Sequence, residues 1–259
     1  MTIAIGLRAN DGIVLCADTQ HTVSGYIKTY DGKVDVNIFR EPFLAFALAG
    51  AGTDDYIKTA KQALMSAFPE ECNTMVAVES ILRERWLKFF SEQLGPWASF
   101  AERDRPSVEL LIAATGHKLY PKMFYCGGTA FHETSQKAIG SGILLADELI
   151  GRYCFGNYTV AQLSSLAIHI IGKVKRGVDG CGGSTHIMGI RKNWDFAFVK
   201  DDDISALEKE FSDWEKSADK ELVDKIVNKP TPLSWHRDHA KKKAAMTGKI
   251  PTAEKPQIR

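Results

Sequence analysis

Met1-Thr2-Ile3-Ala4-Ile5-Gly6-Leu7-Arg8-Ala9-Asn10-Asp11-Gly12-Ile13-Val14-Leu15-Cys16-Ala17-Asp18 holds two short apolar runs separated by turn residues. Residues 3–9 and 12–18 read as strands, and Asn10-Asp11 with Asp11-Gly12 supplies hairpin-turn chemistry. In the second run Ile13, Leu15 and Ala17 alternate with Val14, Cys16 and Asp18, so both faces of the strand are largely apolar. Such a strand is expected between two packed layers rather than half in water. Further strands are expected over 26–38 and 43–49, with Asp31-Gly32 as a tight turn immediately before Lys33.

The period then changes. Thr53-Asp54-Asp55 is an N-cap followed by acid in the first turn, and Tyr56, Ala60, Ala63, Leu64 and Phe68 form an apolar stripe that stops at Pro69. A second helix is expected from about 74 to 94, with Val76, Val78, Ile81, Leu82, Trp86, Phe89 and Phe90 at helical spacing. Strands return over 107–115 and 118–126. Gly140-Ser141-Gly142 introduces a helix to about 154, and Thr159 opens another. Asp179 to Gly183 is a glycine-rich corner before strands at 185–190 and 195–199, and a charged helix spans 203–228. Strands arrive in blocks, which predicts an α+β fold with antiparallel sheets rather than a doubly wound parallel one.

Composition excludes several classes. The 259 residues are 44% hydrophobic and 25% charged with a net charge of +1, so no global field calls for nucleic acid. The five cysteines are scattered and contain no CxxC pair, which argues against a disulfide framework or zinc site and fits a reducing cytoplasm. Neither a signal peptide nor a membrane span is expected. Residues 229–259 carry eight Lys/Arg against two Asp/Glu and four prolines, and are expected to form a basic, flexible tail after a domain spanning 2–228. His236 and His239 lie in that tail without a third ligand nearby, so no metal site is expected.

Thr2 carries the chemistry. Methionine removal before a small residue would leave Thr2 as the amino terminus, combining a hydroxyl with an α-amine of pKa about 7.7–8.0. Nucleophile and base are then one residue.

The segments Thr2 to Gly6, Asp11 to Thr19, Lys33-Val34 and Ala49 to Asp54 together resemble a proteasome β-type subunit, as do Gly140-Ser141-Gly142 before a helix and Asp179 before Gly182-Gly183. The similarity spans about residues 2–200 and is most specific over the first 55. It implies the four-layer αββα sandwich of N-terminal-nucleophile hydrolases and threonine endopeptidase activity on peptides or unfolded proteins. It also implies a homo-oligomeric ring or spiral, with which an ATPase or other regulatory partner is compatible, and no cofactor. By the same resemblance Thr2 is the nucleophile, Lys33 the active-site lysine and Asp18 its carboxylate partner. Gly50 supplies the oxyanion N–H, and Ser141 and Asp179 support the terminal amine. Thr22, Gly50 and Gly52 fall where the family pairs with an extended substrate, and Leu48 falls in an apolar side-chain pocket.

The sequence departs from that pattern in three places. Lys33 comes one residue early, the Lys33–Gly50 segment is a few residues long, and Gly180-Cys181-Gly182-Gly183 lacks the serine expected after Asp179. These mark a divergent, bacterial-type relative. Two other readings stand beside peptidase activity: a non-catalytic ring-forming scaffold, and an amidase or transpeptidase acting on a non-protein amide. Taken singly, Asp18 could cap a turn, Lys33 could be solvated, Ser141 could be an N-cap and Asp179 a turn residue. Cys181 with His186 is a rival nucleophile that lacks a third orienting group.

Overall fold

The computed structural model describes residues 2–23, 27–30, 33–41, 43–70, 72–117, 119–154, 156–191 and 195–227. The tail 229–259, with His236 and His239, lies outside them. Strands β1 (Ile3–Arg8) and β2 (Gly12–Asp18) form the expected antiparallel hairpin, in register from Ala4 opposite Ala17 to Arg8 opposite Ile13. The Ala9 N–H donates to the Gly12 carbonyl at 2.8 Å to close the turn. Every residue of β2 is buried, as its two apolar faces require.

The hairpin is the centre of a five-stranded sheet. β10 (Gln136–Gly140) pairs with β1, β11 (Thr185–Arg191) with β2, and β12 (Phe196–Phe198) with β11, all antiparallel. A second antiparallel sheet runs in chain order through β5 (Val34–Phe39), β6 (Leu44–Gly52), β7 (Val108–Gly116), β8 (Leu119–Gly127) and β9 (Ala130–Glu133). A separate hairpin joins β3 (Gln20–Val23) to β4 (Ile27–Tyr30).

Side-chain alternation makes the layers. In β6, Leu44, Phe46 and Leu48 pack with residues of α1 (Asp54–Leu64) and α2 (Met75–Phe89), such as Leu64, Leu82 and Trp86. Ala47, Ala49 and Ala51 turn the other way and meet Ala4, Leu15 and Ala17 of the first sheet. Small side chains on that face suit a close approach of the two sheets. Ile3, Ile5, Val14 and Cys16 face the opposite layer, where α3 (Ile143–Tyr153) and α4 (Val160–Gly177) contribute Ala146, Leu163, Ala167 and Ile171. The result is the αββα sandwich. The Thr159 hydroxyl and the Gln162 side chain cap the start of α4 reciprocally, each accepting from a backbone N–H that the first turn leaves without an intrahelical partner.

Several boundaries differ from the sequence expectation. The stretch expected as strand over 26–38 holds two strands, β4 up to Tyr30 and β5 from Val34, and the expected Asp31-Gly32 turn between them lies outside the described residues. Strands β3, β9 and β10 are four or five residues long, too short to display alternation. Helix α1 stops at Leu64, short of Pro69. α-Helical bonding in α2 ends at Phe89 and continues as a π-helical turn, Phe90–Leu94, and a 3-10 turn, Gly95–Ser99. Pro96, with no N–H to give, sits in that last turn. Helix α5 spans Asp201–Val227, starting two residues earlier than expected.

By contacts the chain divides at Ser212/Asp213, inside α5. The unit Met1–Ser212 contains both sheets and α1 to α4, and within it Ile204 of α5 is buried against the α3/α4 layer. Of the unit Asp213–Arg259, the described residues through Val227 are helical. Among the described residues no helix is long and apolar enough to cross a membrane.

Candidate active site

The site forms where the hairpin and β10 end together. Pairing of Ile3 with Gly140 and of Ala4 with Ala17 leaves Thr2 just beyond the edge of β1, beside Ser141 and the end of β2. Thr2 is 7% exposed. Its backbone N–H donates to Ser141 Oγ at 3.0 Å, and its carbonyl accepts from the Ser141 N–H at 2.8 Å and from Ser141 Oγ at 3.2 Å. Met1 precedes it in the 259-residue chain, so this nitrogen is a peptide nitrogen.

Asp18 is fully buried and uses both carboxylate oxygens. Oδ1 accepts from the Ile3 N–H at 3.1 Å and from Lys33 Nζ at 2.5 Å, and Oδ2 accepts from the Gly182 N–H at 2.9 Å. The carboxylate thereby ties β1, the start of β5 and the glycine-rich corner to the end of β2. Lys33 is 3% exposed and also donates to the Gln20 carbonyl. Burial pushes its ammonium below the usual lysine range, and the Asp18 carboxylate opposes that shift without cancelling it.

The other residues singled out in the sequence fall as follows. The β5–β6 register, Val34 opposite Ala49, continues by one residue to set Gly50 opposite Lys33. A β-carbon on Gly50 would lie 2.6 Å from Ile57 Cγ2, so α1 packs on the space that the glycine leaves. Gly52 is exposed with φ +123°, against Ser107. Leu48 is fully buried among the α1/α2 core residues and forms interior wall. Thr22 lies in β3, paired with Lys28. Asp179 is exposed and makes no hydrogen bond among the described residues. Cys181, in the run that lacks the expected serine, has its Sγ 3.8 Å from Ser141 Oγ. Burial, reinforced by the Asp18 charge, pushes its thiol up, which suppresses the thiolate. No hydrogen bond joins Cys181 to His186 among the described residues.

Sequence reading missed the Gly182 N–H as a ligand of Asp18, the Gln20 carbonyl as a ligand of Lys33, and Glu109. Glu109 interrupts Val108-Glu109-Leu110-Leu111-Ile112. A lone acid in an otherwise apolar strand was the available signal.

No protein-family model matches the chain, and no curated protein matches it by sequence. Solved structures do. An "Anbu (Gly-1) mutant" from Hyphomicrobium sp. strain MC1 matches at 14% identity over 85% of this chain and 97% of its own, with a TM-score of 0.69. Anbu, described as an ancestral β-subunit, from Yersinia bercovieri matches at 12% identity over 83% and 95%, with a TM-score of 0.68. The helical assembly of the Anbu complex from Pseudomonas aeruginosa matches at 12% identity over 91% and 100%, with a TM-score of 0.69. Likeness at this identity establishes the fold alone, the αββα sandwich of the N-terminal-nucleophile hydrolase type.

Proposed function

We propose that this chain is an N-terminal threonine hydrolase, a proteasome-like peptidase acting within a homo-oligomer. The observation that carries the proposal is the convergence on Asp18 of the Ile3 N–H, Lys33 Nζ and the Gly182 N–H, immediately beside Thr2. A buried lysine–carboxylate pair is costly to maintain, and here it stands at the one residue whose processing would create a nucleophile.

With Met1 removed, the Thr2 nitrogen becomes an amine held by Ser141 Oγ. The Lys33 charge disfavours protonation of that amine, leaving it free to act as base. The amine accepts the proton of Thr2 Oγ as Oγ attacks a peptide carbonyl. The Gly50 N–H faces the oxyanion. The amine then gives its proton to the leaving nitrogen, the C–N bond breaks and an ester on Thr2 remains. Water, deprotonated by the same amine, adds to the ester carbonyl, and its collapse returns the proton to Thr2 Oγ and releases the acid. The helical assembly of the Pseudomonas Anbu complex favours a spiral homo-oligomer for this chain.

Intact mass before and after treatment with a peptide epoxyketone tests the proposal, because that warhead reacts with a hydroxyl and a free α-amine on one residue. Loss of Met1 and a single adduct, both adduct and peptidase activity absent in Thr2→Ala, is the expected result. A chain that retains Met1 and takes no adduct sinks the peptidase reading.

A further inference from the structure

Behind the Gly140–Ser141 turn lies a second polar cluster that the chemistry above does not use. Glu109 of β7 reaches from the second sheet to the first: its Oε2 accepts from the Gly140 N–H at 3.1 Å. Its Oε1 accepts from the Tyr125 hydroxyl of β8 at 2.8 Å. The path of that hydroxyl is built into the sheet. Gly127 stands opposite Glu109 in the β7–β8 register, and Tyr125 lies across it so closely that a β-carbon on Gly127 would be 2.1 Å from the tyrosine oxygen. Lys137 Nζ, from β10, sits 5.1 Å from the centre of the Tyr125 ring and covers it.

On its other side the same turn grips Thr2. Gly140 has φ +96°, a conformation that L side chains rarely adopt, and a β-carbon there would lie 2.2 Å from the Thr2 carbonyl oxygen. Ser141, one residue on, makes the contacts to the Thr2 nitrogen and carbonyl. The turn is held between two anchors, Thr2 in the first sheet and the Glu109 carboxylate in the second.

We propose that Glu109, fixed by Tyr125, is a positioning residue that sets Ser141 Oγ against the Thr2 nitrogen. Glu109 touches no reacting atom. It acts through the Gly140 N–H, keeping the turn in the geometry that aims the Thr2 amine. This inference rests on the peptidase reading of the same site.

The test compares Glu109→Leu, Glu109→Gln and Tyr125→Phe with the parent chain in their rate of epoxyketone adduct formation, resolved into kinact and KI. Hydrogen exchange of the Ser141 amide is measured alongside. Glu109→Leu removes both acceptors and is expected to lower kinact about tenfold or more, with KI unchanged, because small misplacements of a reacting group are costly. Glu109→Gln keeps an oxygen for the Gly140 N–H and offers its NH₂ to the tyrosine oxygen, so it is expected to restore kinact to within about threefold of the parent. Tyr125→Phe is expected to fall between the two and to speed exchange at Ser141. It carries the test if Glu109→Leu fails to fold. A parent-like kinact in Glu109→Leu and Tyr125→Phe, or a loss in Glu109→Gln as large as in Glu109→Leu, overturns the positioning role. A parent chain that takes no adduct overturns the peptidase reading instead. Ser141 exchange then decides the clamp by itself: unchanged exchange in Tyr125→Phe and Glu109→Leu refutes it.

Discussion

At the scale of single residues, the Asp18–Lys33 pair makes the sharpest demands. Both groups are removed from water, Asp18 at 0% and Lys33 at 3% exposure. Removing one partner strands the other, which costs about 3–5 kcal/mol for a buried pair. Lys33→Met is expected to destabilise the chain toward the lower end of that range, because Asp18 keeps the Ile3 and Gly182 N–H groups, and to abolish adduct formation. Urea unfolding and the epoxyketone reaction check the two effects separately. The pH dependence has a definite sign. Burial lowers the folded-state pKa of Lys33, so between that value and the unfolded value of about 10.4 the unfolded chain binds more protons. The contribution of Lys33 to stability therefore rises with pH through that window. The parent chain is expected to gain stability relative to Lys33→Met as the pH climbs toward about 10.4, measured by unfolding at a series of alkaline pH values. Peptidase activity that depends on the charged lysine falls in the same window.

At the scale of elements, the hairpin and the turn against it decide where Thr2 sits. Gly140→Ala meets both a positive φ and the Thr2 carbonyl. Strain at such a position costs about 1–3 kcal/mol before the clash is counted. A loss of at least about 2 kcal/mol in unfolding free energy, together with weakened Ser141 amide protection, is the expected outcome. Elements were legible in the sequence where a pattern ran long enough to be read. The Asn10-Asp11-Gly12 turn between two apolar runs showed the β1–β2 hairpin, and Thr159 before a helical stripe showed the start of α4. β9, with only Ala130-Phe131-His132-Glu133, showed nothing, since its pairing with β8 is a tertiary fact. The same limit applied to the site. Asp18 and Lys33 were visible as candidates because each follows a recognisable strand or turn. The bonds that join them to Gln20 and Gly182 use backbone groups, which any residue supplies. Glu109 was passed over, since its partner Gly140 lies 31 positions away on the other sheet. The seating of Cys181 against Ser141 depends on how the glycine-rich corner folds, which residue identity did not determine.

At the scale of the whole molecule, the layers separate stability from chemistry. Trp86 is fully buried under the second sheet, packs on Phe89 and donates its indole N–H to the Gly128 carbonyl at 3.1 Å. Trp86→Ala is expected to cost about 3–5 kcal/mol in urea unfolding, while the fraction that stays folded keeps its reactivity toward the epoxyketone. Thr2→Ala is the converse case. The contacts of Thr2 with Ser141 are made by backbone atoms and survive the substitution, and Thr2 Oγ enters no hydrogen bond among the described residues. The change removes a hydroxyl and a methyl from the edge of a strand, so its stability cost is expected to stay within about 1 kcal/mol. Alanine is small enough to permit methionine removal, so chain processing is preserved as well. Light scattering and native mass spectrometry should then find Thr2→Ala in the same oligomeric state as the parent, with peptide cleavage gone. Loss of assembly in Thr2→Ala would make Thr2 part of the assembly's structure rather than of its chemistry. A monomeric parent chain would refute the homo-oligomer, and a parent that assembles and cleaves equally well with alanine at this position would move the nucleophile elsewhere in the sandwich.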